Sequence, residues 1–179
     1  AATNVRGTDL DAIKNFALDK SKTLTAETAK LQQLGQQYYD LAKKYDFNYN
    51  QMLENDRDNV KRIISESQAA FRKANPAYEE QEGVVAGVPS LAEYDMILDA
   101  GADGSDPENA VPFNLKLPNG KTLKQPGNFF FLNEAALWGT NPDFAAKGVD
   151  EADLNDNGKV EFGEALPDAN FLLASSRDM

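Results

Sequence analysis

Cysteine and histidine are both missing from the 179 residues. Their absence excludes disulfides, thiol nucleophiles and Ser-His or Cys-His catalysis, and it removes the nitrogen and sulfur donors that most transition-metal sites depend on. No run reaches the roughly 20 apolar residues of a membrane-spanning helix. Basic side chains are scarce in one half only. Residues 1–89 carry 12 basic and 13 acidic side chains, whereas residues 90–179 carry 6 and 16, so almost all of the net charge of −11 falls in the second half. A half at −10 repels nucleic acid, which is not expected as a partner, and attracts cations.

What is present is enough for a core: 41% of the residues are apolar, and the length suits a single domain over 1–179. The chain opens Ala1-Ala2-Thr3 without methionine, the pattern of an exported protein after signal-peptide cleavage. A periplasmic or extracellular location is expected.

The most chemically explicit passage is Asp153-Leu-Asn-Asp-Asn-Gly-Lys-Val-Glu-Phe-Gly-Glu164. Its twelve residues fit the calcium loop of an EF-hand. Asp153, Asn155 and Asn157 stand at positions one, three and five, Lys159 offers its carbonyl at seven, and Glu161 and Glu164 follow at nine and twelve. Gly158 occupies position six, where the backbone turns too sharply for a Cβ. Val160 has the apolar character of the short strand inside such a loop. An all-oxygen set suits a hard cation, calcium above all, and not zinc or copper. The plainer alternative is an acidic Asn/Gly turn. Three carboxylates, no second loop of this pattern, and Pro142 and Pro167 shortening any flanking helices argue against a sensor. The expected role is a structural calcium that pins a loop-rich segment, and such loops fill where calcium is abundant, as it is outside the cell.

The remainder reads as helical. Thr8 with Asp11 forms a capping-box pattern, and Leu10, Ala17, Leu24, Leu31, Tyr38 and Tyr45 recur every seven residues on a helix running to about Tyr45, with Lys20 and Glu27 interrupting its stripe. A second amphipathic helix follows Asn48 or Asn50 and is punctuated at Pro76. Ser90 with Glu93 is a further capping-box pattern, before an apolar face of Leu91, Tyr94, Ile97 and Leu98. After an acidic, Gly-rich loop, residues 114–123 predict a hairpin turning at Asn119-Gly120. Asn128 caps a helix to Trp138, Pro142 starts a short turn, and Asp168 caps a last helix. The expected fold is mainly α, an up-and-down helical bundle with a small β-hairpin excursion and one EF-hand loop.

Two segments carry a family resemblance. Ala77-Tyr-Glu-Glu-Gln-Glu82 presents Tyr-Glu-x-x-Glu, and Phe130-Phe-Leu-Asn-Glu-Ala-Ala-Leu-Trp138 ends in Glu-x-Ala-Leu-Trp. In that order, after two long helices, they resemble the imelysin-like proteins, a family that includes the periplasmic EfeO-type components of bacterial iron uptake. The resemblance covers about residues 30–140 and leaves the calcium loop outside. It implies an exported helical bundle that is metal-related or polysaccharide-related, working beside a membrane transport component. The family's metal-motif histidine falls on Phe131, a ring that cannot coordinate, while its glutamate is kept as Glu134. The peptidase label attached to the family needs a metal-bound water and a base, and this chain offers carboxylates only; it is not expected to be an enzyme.

Read from the residues alone, Glu79 and Glu82 share a helical face, Asp95 and Asp99 lie one turn apart, and Glu134 sits among apolar neighbours. If their helices pack together, Glu79, Glu82, Asp95 and Glu134 form a second, all-carboxylate site for iron or another divalent cation; otherwise each is a glutamate or aspartate on a solvated face. Tyr38, Tyr39, Tyr45, Tyr49, Tyr78, Tyr94 and Trp138 offer stacking platforms for a glycan, or are simply the core and its rim. The reading is an exported calcium-binding protein of imelysin-like type, an accessory in metal binding or uptake. The alternative is a calcium-dependent binder of extracellular polysaccharide, with a metal-assisted hydrolase third. The sequence leaves oligomeric state open.

Overall fold

The computed structural model describes residues 2–149 and 152–179, so Ala1 lies outside it. Helix α1 spans Ala2–Lys44 and α2 spans Tyr49–Glu79. Asp46 and Phe47 take left-handed backbone (φ 52° and 58°) to reverse the chain between them. Asn48 caps α2 by accepting the Gln51 N–H, 3.1 Å. The predicted stripes meet in the core: Leu31, Leu34 and Tyr38 from α1 and Val60, Ile63, Ile64, Ser67 and Ala74 from α2 are at most 2% exposed. Each such aliphatic side chain contributes about 1.5–3 kcal/mol by leaving water.

Three expectations about these helices need correction. Helix α1 is already running at Thr8, so the capping-box pattern there does not mark a helix start. The stripe is core only from about Leu24 onward; Leu10, Ile13, Phe16 and Leu18 are 67, 56, 47 and 48% exposed because α1 overhangs the rest of the bundle. Pro76 does not punctuate α2, which continues through it to Glu79. The backbone of α2 leaves helical geometry instead at Asp56 (φ −136°, ψ 30°). There the carboxylate accepts from Lys44 (2.7 Å) and the Tyr45 hydroxyl (2.6 Å), bonds that together with Asn59 hold its carboxyl down at about 2.

Two short helices follow, α3 (Glu82–Gly87) and α4 (Ala92–Asp95), and α4 widens directly into a π turn over Met96–Ala100. Ser90 does not cap α4; Leu91 stands at its start with no side-chain bond, and Leu91 and Tyr94 are exposed. The chain turns over at Val88–Leu91 before the helix begins, which displaces the pattern from the helix end.

The hairpin is as predicted: β1 (Asn114–Lys116) pairs antiparallel with β2 (Thr122–Lys124), Leu115 opposite Leu123. Helix α5 (Phe129–Trp138) is capped by Asn128, whose side chain accepts the Phe131 N–H at 2.8 Å. A 3-10 turn over Pro142–Phe144 follows, and α6 (Ala169–Asp178) is capped by Asp168. Helix α6 lies along α1 and against α5, completing a mainly α bundle with one small hairpin.

Candidate calcium loop and acidic patch

The loop is anchored at its base before it does anything else. Ala145 bridges antiparallel to Pro167, Ala146 N–H donates to the Leu166 carbonyl, and Asp168 N–H donates to the Phe144 carbonyl, each bond 2.8 Å. Two buried tyrosines secure that base to the long helices. The Tyr38 hydroxyl donates to the Pro167 carbonyl (3.0 Å), and the Tyr49 hydroxyl accepts the Ala169 N–H (2.9 Å). Burial pushes both phenols well above their ordinary range, Tyr49 to about 12. The segment between Ala145 and Pro167 is therefore closed at its base by this bridge.

Within the loop the predicted ligand residues curl inward. Asp153 accepts the N–H groups of Asn157 (3.2 Å) and Gly158 (2.7 Å) on its two carboxylate oxygens. Asn155 and Asn157 accept from Asn157 and Lys159, both 2.9 Å. Glu164, only 8% exposed, takes the N–H of Asn155 on Oε1 (3.1 Å) and that of Glu161 on Oε2 (2.9 Å), so it joins the loop's beginning to its end. Glu161 receives the amides of Asn157 (2.8 Å) and Asn155 (3.4 Å). Gly158 has φ +83°, the sharp turn that position six demands.

Outside contacts hold the loop to α2. Arg57 donates to the Asp153 carbonyl and pairs with Asp156 at 3.4 Å, while Gln68 Nε2 donates to the carbonyls of Gly163 (2.9 Å) and Leu137 (3.0 Å). Leu154 and Ala152 are buried in the core. Two details differ from expectation. Val160 is 54% exposed with no strand through it, and no helix flanks the loop among the described residues. The paired base does what flanking helices do elsewhere, so a period-3.6 pattern is not needed around it.

Calcium suits these residues. Carboxylate, amide and backbone oxygens are the only donors, and each carboxylate that accepts an N–H keeps lone pairs free. Among the described residues, no three of His, Cys, Asp and Glu stand as a ready-made metal cluster; for a cation held by the loop, Asn155, Asn157 and the Lys159 carbonyl would have to complete the set.

The second predicted group divides. Glu79, Glu82 and Asp95 do share one patch, together with Asp99 on the π turn. Partial burial, then the charges of Glu79, Glu82 and Asp95 in that order, push the Asp99 carboxyl up to about 6. Tyr78, itself buried, donates its hydroxyl to Asp95 Oδ1 at 2.5 Å. Glu134 lies elsewhere: it is exposed on α5 and borders a separate recess with Phe71, Arg72 and Trp138. Its apolar neighbours Leu132, Ala135 and Ala136 face the core from the other side of the helix, so adjacency in sequence did not bring Glu134 inside. The tyrosines divide likewise: Tyr38, Tyr49 and Tyr78 are core, and Tyr94 is exposed.

Gln68, Arg57 and the residue 144–146 and 166–168 pairing were not foreseen. The pairing joins residues about twenty apart and leaves no local signature. Fold and site together define a mainly α bundle carrying one oxygen-donor loop of EF-hand spacing. No protein-family model, no curated protein and no solved structure matches the chain.

Proposed function

We propose that this is a calcium-binding helical-bundle protein in which residues 153–164 hold a structural calcium. The observation that carries the reading is Glu164: a buried carboxylate at position twelve whose two oxygens receive the N–H groups of Asn155 and Glu161, tying the start of the loop to its end. Asp153, Asn155, Asn157, Glu161 and Glu164 would hold the ion through side-chain oxygens and Lys159 through its carbonyl. The ion would supply positive charge to an acidic half and fix the segment between the 3-10 turn and α6. It does no chemistry of its own here.

The resemblance to imelysin-like proteins extends this reading to an exported accessory in metal uptake. Its place for iron or another divalent cation is the patch of Glu79, Glu82, Asp95 and Asp99, without Glu134.

A ligand that binds only the folded state at a hundredfold excess over its Kd adds about 2.7 kcal/mol, a Tm rise of roughly 5–10 °C for a chain of this length. Calcium added to chelator-treated protein is expected to give that rise and a one-calcium mass shift in native mass spectrometry, and Glu164→Gln is expected to lose both. Equal midpoints with and without chelator refute the loop. For the patch, iron(II) titration is expected to saturate in the parent and not in Asp95→Asn; non-saturable or unchanged binding removes it while leaving the calcium loop standing.

A further inference from the structure

Beside the hairpin lies a cavity of about 830 Å³, within the size range of pockets that hold ligands. Leu117 N–H donates to the Lys121 carbonyl at 2.8 Å, and the register continues through Lys116 opposite Thr122 and Leu115 opposite Leu123. Hydrogen-bonded pairs alternate along an antiparallel ladder. Leu123 therefore turns its N–H and C=O toward β1, and those of Thr122 and Lys124 point out of the other edge. The cavity takes residues 121–126 without a gap, residues of both pleat faces, and from the other side of the hairpin only Leu117 and Asn119 next to the turn, none of Asn114–Lys116. It runs along the free edge of β2, not over one face of the hairpin.

The wall across from that edge presents one aromatic ring: Phe131 is 43% exposed and stands edge-on to Phe144 at 6.3 Å, while Phe144 and Phe171, stacked at 4.0 Å, are buried behind it. The lining also gathers Lys121, Lys124 and Lys147, three of the six basic residues in the half of the chain that carries net −10. Asp103, Asp143 and Asp168 line it too, so the lining as a whole carries balanced charge; Asp103 accepts from the N–H and hydroxyl of Ser105 and Asp168 accepts the Phe171 N–H that starts α6, while the positive groups beside the β2 edge itself are Lys121 and Lys124. Among the described residues Lys121 and Lys124 have no ion pair.

We propose that this cavity is a peptide site in which an extended segment adds to β2 as a third strand. At about 3.3 Å per residue, the edge from Lys121 to Lys124 faces three or four residues of the segment. Thr122 and Lys124 each exchange a pair of main-chain hydrogen bonds with it. One side chain of the segment, aromatic or aliphatic, lies against the exposed ring of Phe131. A neighbouring acidic side chain meets Lys121 and Lys124. The two-residue spacing of the outward N–H and C=O groups is the period of a strand, and it selects a peptide over a glycan, which has no matching repeat of donors and acceptors.

The test is a displayed random hexapeptide library selected on the full chain, with Thr122→Pro/Lys124→Pro protein as counter-target. Proline there removes the outward N–H groups without touching the bonds to β1. Enriched peptides are expected to be extended and acidic with one large apolar residue. In calorimetry each should weaken about tenfold with Lys121→Gln/Lys124→Gln and about tenfold with Phe131→Ala. N-methylation along the peptide, which leaves the protein unaltered, should abolish binding at every second residue only. The proposal is overturned if no peptide is enriched over the counter-target, if N-methylation shows no period of two, or if a uronate tetrasaccharide occupies the cavity in its place with affinity indifferent to Thr122→Pro.

Discussion

Two carboxylates of the acidic half, Glu164 and Asp99, sit in opposite surroundings. Glu164 is the more buried, and its two oxygens accept the backbone N–H groups of Asn155 and Glu161. Asp99 is half-buried and faces Glu79, Glu82 and Asp95, which with its burial raise its carboxyl to about 6. An unfolded aspartate titrates near 3.9, so between about pH 4 and pH 6 the folded chain holds a proton that the unfolded chain has released. Stability attributable to Asp99 is present below that window and is lost as pH rises through it. Asp99→Asn removes the repelling charge. Its Tm is expected to exceed that of the parent at pH 7 and to coincide with it below pH 4, read from melting curves at half-unit steps. Parallel curves across the window would mean that Asp99 is solvated like any surface aspartate.

Between elements, the decisive contact is the Gln68 amide, which ties α2 to the end of α5 and to the loop at Gly163. Gln68→Leu keeps the volume approximately but leaves two carbonyls without their donor, a loss of about 1–3 kcal/mol. Denaturant unfolding should show that loss, and the calcium-induced Tm rise should shrink because ordering the loop no longer orders α2 and α5. An undiminished rise would place the loop's coupling at its paired base alone. The sequence revealed elements wherever the cause was local. Asn48, Asn128 and Asp168 were legible as caps because each bonds an N–H three residues on, and the ligand spacing of residues 153–164 is complete in itself. Thr8 and Ser90 carry the same pattern, but at Thr8 the helix had already begun, and at Ser90 the chain turns over before α4 starts. Gln68 could not be read at all, since its two acceptors are 69 and 95 residues away. Glu134 is exposed although Leu132, Ala135 and Ala136 beside it are buried, because neighbours in sequence occupy different faces of a helix.

Across the whole molecule, stability is concentrated from about Leu24 onward, where the stripes of α1 and α2 close over the core and α6 covers them. Ahead of that point Lys20 pairs with Glu80 and the Ser21 hydroxyl donates to Gln81. Leu10, Ile13, Phe16 and Leu18 remain largely in water, and helix without tertiary packing is marginal by itself. Two consequences follow from the same cause. Backbone amides of residues 7–18 should exchange with deuterium far faster than those of residues 31–42 on the same helix, because opening there breaks no core contact. Removing residues 1–18 should leave Tm within about 2 °C of the parent, since Leu10, Ile13, Phe16 and Leu18 take almost no apolar surface with them, whereas Leu31→Ala should cost about 2–5 kcal/mol by opening a cavity at a fully buried site. A truncated chain that melts well below the parent, with uniform exchange along α1, would show that the overhang packs in solution and that the bundle is larger than the core described here.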